Sequence, residues 1–276
     1  MILLDNSKYH KAVKPLMEVT INNLFARSVV EKKINGSVYV DNVENPGTFY
    51  IIHPYGMSLL FGETANDNFN SKLIDYALNT FRVRNNYEWL QAFPGPWNKK
   101  FSLLLGDNLI KSRDNHGNYQ SNKIEENTRV NFKFNKRKYL DFRNQNIIKD
   151  YKILRTNKEM FENMKGSVVP RYFWNDAETF FNQGVGYSLI YNNELASTAY
   201  SAFIQDNKLE LGIETIEIYR GKGFAQYVCS SLIDYCIEND YEPVWSCRLE
   251  NTGSFNLAQK LGFEPTIYIP FYRLNN

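Results

Sequence analysis

Cysteine is scarce and poorly placed for chemistry: Cys229, Cys236 and Cys247 are the only three in 276 residues. None sits in a CxxC or His-bearing zinc spacing, so neither a disulfide framework nor a metal site is expected. Cys229 and Cys236 would lie about 10 Å apart on one helix, too far to bridge, which leaves all three as small buried side chains. Histidine is missing from the whole second half, because His10, His53 and His116 are the complete set. Isolated as they are, these three read as surface or core residues. Long apolar runs are also absent. Stretches such as Ser102-Leu103-Leu104-Leu105 fall far short of the roughly 20 residues a membrane helix needs. The opening Met-Ile-Leu-Leu-Asp has no basic n-region and no cleavage site. Neither sign of charge dominates: 32 Lys+Arg against 30 Asp+Glu leave a formal net charge of +2, which gives no global field toward nucleic acid or membrane. A soluble cytoplasmic protein without a metal, membrane or nucleic-acid partner is expected, either monomer or homodimer.

What is present is core-forming material, with 43% hydrophobic and 22% charged residues, enough to exclude a disordered chain. Residues 7–32 read as one covering helix. Strands follow at 37–40, 48–52 and 57–61, separated by Asn-Pro-Gly and His-Pro-Tyr-Gly turns. Next come a helix over 70–80, a strand over 88–93 and a short helix ending at Gly106. Residues 107–128 are polar and read as an exposed loop, and 129–140 alternate with a basic face as an edge strand. A domain boundary is placed between 148 and 149. Beyond it, a short strand (151–155) and short helices (158–164, 175–182) precede a hairpin about Asn192-Asn193, a type I′ pair. A long strand runs from 208 to 219. A helix to about 239, a strand over 243–248, a helix over 254–261 and a strand over 266–273 complete the chain. Leu73-Ile74-Asp75-Tyr76 recurs as Leu232-Ile233-Asp234-Tyr235, Trp89 as Trp245, and Leu105-Gly106 as Leu261-Gly262. This series indicates two tandem, diverged α/β halves.

The sharpest local signal is Tyr219-Arg220-Gly221-Lys222-Gly223-Phe224-Ala225, between a strand and a helix. Two glycines free the backbone and leave its N–H groups uncovered, and a helix N-terminus adds orphan donors and a positive dipole end. Arg220 and Lys222 add charge, and Ala225 keeps the first turn small. The chemistry expected is a pyrophosphate cradle. A Walker A loop is absent, and a dinucleotide fingerprint fails because Gln226 stands where its third glycine belongs.

This loop resembles the (Q/R)xxGx(G/A) motif of the GNAT superfamily of acyl-CoA-dependent N-acyltransferases. Asn251, Ser254 and Lys260-Leu261-Gly262-Phe263-Glu264 are similar to the family's Asn-x-x-(Ala/Ser)…KLGF helix, and the order of elements over about 150–275 is also the family's. Within the superfamily the chain looks most like a bacterial subgroup with an extra N-terminal domain. The resemblance implies a mixed, mostly antiparallel sheet with flanking helices (α+β), preceded by a degenerate half of the same kind. It assigns the main chain of Gly221, Lys222, Gly223, Phe224 and Ala225, with Arg220, to the coenzyme A pyrophosphate. Thr215 falls where the pantetheine arm pairs with the fourth strand, and Asn251 and Ser254 complete the cofactor set.

Apolar residues fall on odd positions up to Ile213 and on even ones at Ile216 and Ile218, so a bulge or a strand end is expected between them. A main-chain N–H near Ile216 could then serve as oxyanion donor. With no histidine available, the base for the attacking amine would be a carboxylate, a tyrosine or ordered water; among the carboxylates Glu214 comes first, then Glu210, with Glu217 beyond the phase change. One departure from the family is Ala258, which stands where many relatives carry the tyrosine that protonates the leaving thiolate. Ser254 or Tyr268 could substitute, or the thiolate could leave unaided. Trp174 and Trp245 are read as acceptor-pocket lining or as core. In the first half the equivalent loop, Gly62-Glu63-Thr64-Ala65-Asn66-Asp67-Asn68, is acidic and should hold no second coenzyme. That half is expected to wall the acceptor cleft or cover a sheet edge. The function expected is acetyl-CoA-dependent acetylation of a small-molecule amine; the rivals are a coenzyme A or acetyl-CoA sensor and a protein N-acetyltransferase.

Overall fold

Pro15 decides the start of the chain. The computed structural model describes residues 1–112, 123–145 and 151–276. Within them the single helix expected over 7–32 is two: α1 (His10–Met17), with Pro15 near its end, and α2 (Leu24–Val30). The Asn23 amide donates to the carbonyls of Val19 (2.9 Å) and Leu16, so the break is closed by a side chain rather than by a continuing helix. A short strand β1 (Ile2–Leu3) precedes α1. Three antiparallel strands follow: β2 (Ser37–Val40), β3 (Thr48–His53) and β4 (Met57–Gly62). Helix α3 (Asp67–Ala77) then crosses over to β5 (Glu88–Phe93), which lies parallel to β4. Helix α4 (Pro96–Leu105) starts on proline and stops at Gly106.

The supposed loop over 107–128 contains strand β6 (Leu109–Lys111) and the start of β7 (Ile124–Phe134), where Ile124, Glu125 and Asn127 are buried. Strand β7 has partners on both sides, so it is not an edge. It also stops earlier than predicted, because the Asn135 side chain accepts the Lys138 N–H and opens helix α5 (Lys136–Gln145). The boundary expected at 148/149 lies outside the described residues.

The second half follows its predicted order closely. It contains β8 (Lys152–Arg155), α6 (Lys158–Asn163), α7 (Ala177–Gln183), β9 (Gly186–Tyr191), β10 (Glu194–Gln205) and β11 (Lys208–Thr215). Helix α8 (Phe224–Glu238), β12 (Glu242–Val244), β13 (Ser246–Arg248), α9 (Thr252–Lys260) and β14 (Phe263–Leu274) complete it. The hairpin turn has φ of 50° at Asn192 and 63° at Asn193, as a type I′ pair requires.

Spatially the chain divides into two units: 1–130 with 248–250 and 267–276, and 131–247 with 251–266. In the first unit the sheet runs β1-β2-β3-β4-β5, and the end of β14 pairs antiparallel with β5 (Tyr272↔Leu90). Its core gathers Tyr50, Leu60, Phe69, Leu90, Trp97 and Phe101. In the second unit the order is β12-β11-β10-β9-β8, with α8 packed against β9, β10 and β11. Each unit thus carries a hairpin, a crossover helix and a parallel strand: β3-β4-α3-β5 in one and β10-β11-α8-β12 in the other. The repeated Leu-Ile-Asp-Tyr falls on α3 and on α8.

Candidate active site

Strand β11, the turn after it and the first residues of α8 set the geometry. After Thr215 the chain leaves the sheet into a single 3-10 turn, Glu217–Tyr219. The phase change read in the sequence is therefore a strand end. The irregular register lies instead in the partner strand, where β10 inserts one residue between Ser201 and Phe203. Gly221 and Gly223 both have φ of 79°, in the left-handed region where only glycine is at ease. A Cβ built on Gly221 would meet nothing within 4 Å, and on Gly223 the nearest atom is the Gln226 amide at 3.6 Å. The surface of the turn is therefore open to a ligand. Gly223 caps a helix of 15 residues without any side-chain acceptor, so the leading N–H groups of α8 face outward from an exposed turn. Lys222 folds over the rings of Tyr219 (5.1 Å) and Tyr191 (5.5 Å). Phe224 is buried against Tyr151, Tyr191 and Tyr219 and anchors the helix start.

The other half of the geometry is a parting of strands. Strand β12 pairs with β11 over Lys208–Glu210 only. At Trp245 the chain turns toward β7, where Phe132 donates to the Trp245 carbonyl (3.2 Å). Beyond Glu210, β11 therefore has one side paired to β10 and the other open, and Glu210 stands at the apex of the wedge. Both carboxylates predicted on this strand are buried, Glu210 to 5% and Glu214 to 7% exposure. A solvated strand face is thereby excluded. They share a face at roughly 13 Å spacing, and between them Tyr200 lies across Gly212, whose hydrogen is all the ring tolerates there. Glu210 Oε1 accepts from Ser246 Oγ at 3.4 Å. Glu214 Oε2 accepts from the main-chain N–H groups of Ser167 (2.8 Å) and Val168 (2.9 Å), and its Oε1 faces Arg220 Nη2 at 3.4 Å. Arg220 Nε also donates to the Thr215 carbonyl at 3.1 Å.

Several expected roles meet other geometry. The Ile216 N–H donates to the Ala196 carbonyl at 3.0 Å, so it is not an oxyanion donor. Alternation along the strand then turns the N–H groups of Thr215 and Ile213 toward the open side. Thr215 Oγ1 lies 2.8 Å from Ser197 Oγ. Asn251 caps α9 by accepting from the Ser254 N–H (3.2 Å), and Ser254 Oγ accepts from Trp245 Nε1 (3.2 Å). Trp245 is core, packed on Phe263, while Trp174 donates to the Ser201 carbonyl (2.8 Å). Ala225 is half-buried in the first turn of α8, Ala258 is fully buried, and Glu217 is exposed. His53 is buried, and burial pushes its imidazole down to about 3. His116 lies outside the described residues. The cysteines are free and buried. Among the described residues no His/Cys/Asp/Glu group could hold a metal, and no helix is long and apolar enough to cross a membrane. Sequence reasoning missed the Gly166–Val168 segment around Glu214 and the Tyr200–Gly212 contact. Both depend on pairings across the fold that carry no local signal.

Three comparisons bear on this geometry. The family model for GNAT acetyltransferase matches residues 14–272. A Bacillus subtilis protein described as an uncharacterized N-acetyltransferase, YdfB, is 26% identical over 267 residues, covering 95% of each chain. Among solved structures, a GCN5-related N-acetyltransferase-like protein of Streptococcus suis superposes with a TM-score of 0.70 at 18% identity, over 97% of this chain and 99% of that one. A tandem GNAT protein from the clavulanic acid biosynthesis pathway gives 0.58 at 10% identity, over 99% and 97%. These two likenesses are of fold.

Proposed function

Because the chain belongs to the GNAT acetyltransferase family, we propose that it moves an acetyl group from acetyl-CoA directly to the amine of a small molecule. The observation that carries this reading is the open left-handed Gly221/Gly223 turn at the head of α8, beside a strand whose outer edge is unpaired beyond Glu210. The fit to a diphosphate is chemical: uncovered main-chain N–H groups, a helix dipole and two neighbouring cations. Gly221 to Ala225 would hold the pyrophosphate through the main chain. The open edge at Ile213 and Thr215 would receive the pantetheine arm as an added strand. When bound, the thioester supplies an acetyl carbon already activated toward an amine. Thr215 or Ile213 donates a main-chain N–H to the oxygen that gains charge.

Glu210, at the apex of the wedge and bonded to Ser246, takes the proton from the amine. Two buried carboxylates and the Tyr200 ring share the acceptor-side face, a lining of negative charge and aromatic surface that suits a compact cationic amine. Ala258 supplies no hydroxyl. The thiol's ordinary pKa near 8.5 makes protonation of the leaving group undemanding. The same alanine favours a second reading, a coenzyme-binding sensor without turnover.

Thermal unfolding with and without acetyl-CoA, followed by thioester consumption with polyamines, amino sugars and amino acids, tests both readings. The wild type should be stabilised by acetyl-CoA, and Gly223→Glu should abolish that shift. An undiminished shift in the variant would place the ligand elsewhere. A shift without turnover for any amine would favour the sensor.

A further inference from the structure

Glu214 has no part in the proton transfer assigned above, yet it is the best-connected carboxylate beside the coenzyme turn. One oxygen accepts two main-chain N–H groups, from Ser167 and Val168, and the other meets the Arg220 guanidinium. Gly166 completes the enclosure. Its φ is 142°, and any Cβ there would collide with the Glu214 carboxyl. Arg220 in turn holds the Thr215 carbonyl and begins the glycine turn. The segment on the far side of the carboxylate covers the face that carries Glu210 and Tyr200: Phe173 packs edge-on against Tyr200 (5.6 Å), Trp174 donates to Ser201, and Arg171 donates back to the Met164 carbonyl. One buried charge thus joins the head of the coenzyme turn to the cover of the acceptor side. A buried carboxylate needs such partners, and withdrawing any of them leaves a costly unpaired group.

We infer that Glu214 is a positioning residue rather than the base: it couples residues 166–168 to Arg220, so that occupancy of the coenzyme turn tightens the acceptor-side cover. This rests on the acetyltransferase reading. Glu214 turns one oxygen to two main-chain N–H groups and the other to a guanidinium, contacts that favour its charged form and tie it to structure rather than to a substrate proton. Ligand binding that fixes the turn fixes Arg220, and with it the anchor of Ser167 and Val168.

The test is amide hydrogen exchange at Ser167 and Val168 in the full chain, free and with coenzyme A, for the wild type, Glu214→Gln, Glu214→Ala and Arg220→Ala. In the free protein, Glu214→Ala should speed exchange at both amides at least tenfold, while Glu214→Gln, whose carbonyl still accepts, should stay within about threefold of wild type. Coenzyme A should slow exchange there at least tenfold in the wild type, and this slowing should vanish in Glu214→Gln and Arg220→Ala. With the amine that turns over among spermidine, glucosamine and lysine, Glu214→Gln should raise KM for the amine and leave the acidic limb of the kcat–pH profile in place. Glu210→Gln should remove that limb. The inference is overturned if coenzyme A slows exchange equally in Glu214→Gln, or if Glu214→Gln loses the acidic limb with a hundredfold fall in kcat. A wild type that coenzyme A does not stabilise would instead end the acetyltransferase reading, and the free-protein exchange comparison would still judge the clamp.

Discussion

His53 shows what burial does to a single side chain. Its ring is wholly enclosed, with Nδ1 accepting the Tyr55 N–H at 3.0 Å, and desolvation holds its pKa at about 3. The unfolded value is near 6.5, so the folded value is the lower one. Above pH 6.5 both states are neutral and nothing is lost. As pH falls below 6.5 only the unfolded chain takes the proton, and stability drops by about 1.4 kcal/mol per unit until pH approaches 3. His53→Asn keeps an acceptor for Tyr55 and removes the titration. Denaturant midpoints between pH 7.5 and 5 should show the wild type losing about 2 kcal/mol more than the variant; parallel curves would mean that His53 protonates freely in the native state. At this scale the sequence was legible where chemistry is local. Gly221 and Gly223 announced a left-handed turn from their own identity. Glu214 was not legible, because its partners Ser167 and Val168 come from a distant segment and use main-chain groups that every residue carries.

Elements were legible where their ends carry side-chain signals. Asp176 accepts from the Thr179 N–H at 2.7 Å and opens the helix after it, whereas the helix read over 70–80 starts at Asp67 because the Asn66 cap, accepting from Phe69 at 3.0 Å, was overlooked. The helix over 7–32 failed for the matching reason: Pro15 and the reach of Asn23 to Val19 and Leu16 end α1, and periodicity alone overlooks both. The strand over 129–140 failed at Asn135, an unrecognised cap. Asn251 had been given to the coenzyme by resemblance, but its side chain is engaged as the cap of α9. Asn251→Ala should therefore cost about 1 kcal/mol in chemical unfolding, and Asn251→Asp should restore most of it. Affinity for coenzyme A, measured by calorimetry, should stay within twofold. A tenfold loss of affinity at unchanged stability would return Asn251 to the binding site.

At the scale of the whole chain, order along the sequence and place in space part company. Residues 267–276 belong with the first unit, where Tyr272 pairs with Leu90 and Arg84 donates to the carbonyls of Leu274 (3.0 Å) and Asn275 (2.8 Å). No local pattern encodes that return. The repetition was legible, because hairpin, crossover helix and parallel strand recur in each unit, and the contrast between the two crossovers bears on ligand number. At the head of α8 the cap is a bare glycine in an open turn. At the head of α3 the Asn66 side chain already accepts the Phe69 N–H, the Asn70 amide donates to the Thr64 carbonyl (3.0 Å), and Asp67 begins the helix. Gly62, with φ of 97°, lies so close to the Gly47 main chain that even a Cβ would collide. A diphosphate there would meet filled donors and the carboxylates of Glu63 and Asp67. Titration calorimetry with coenzyme A should therefore give one site per chain, and Gly223→Glu should take that number to zero. Two sites in the wild type, or one remaining in the variant, would show that the first unit kept a cradle of its own.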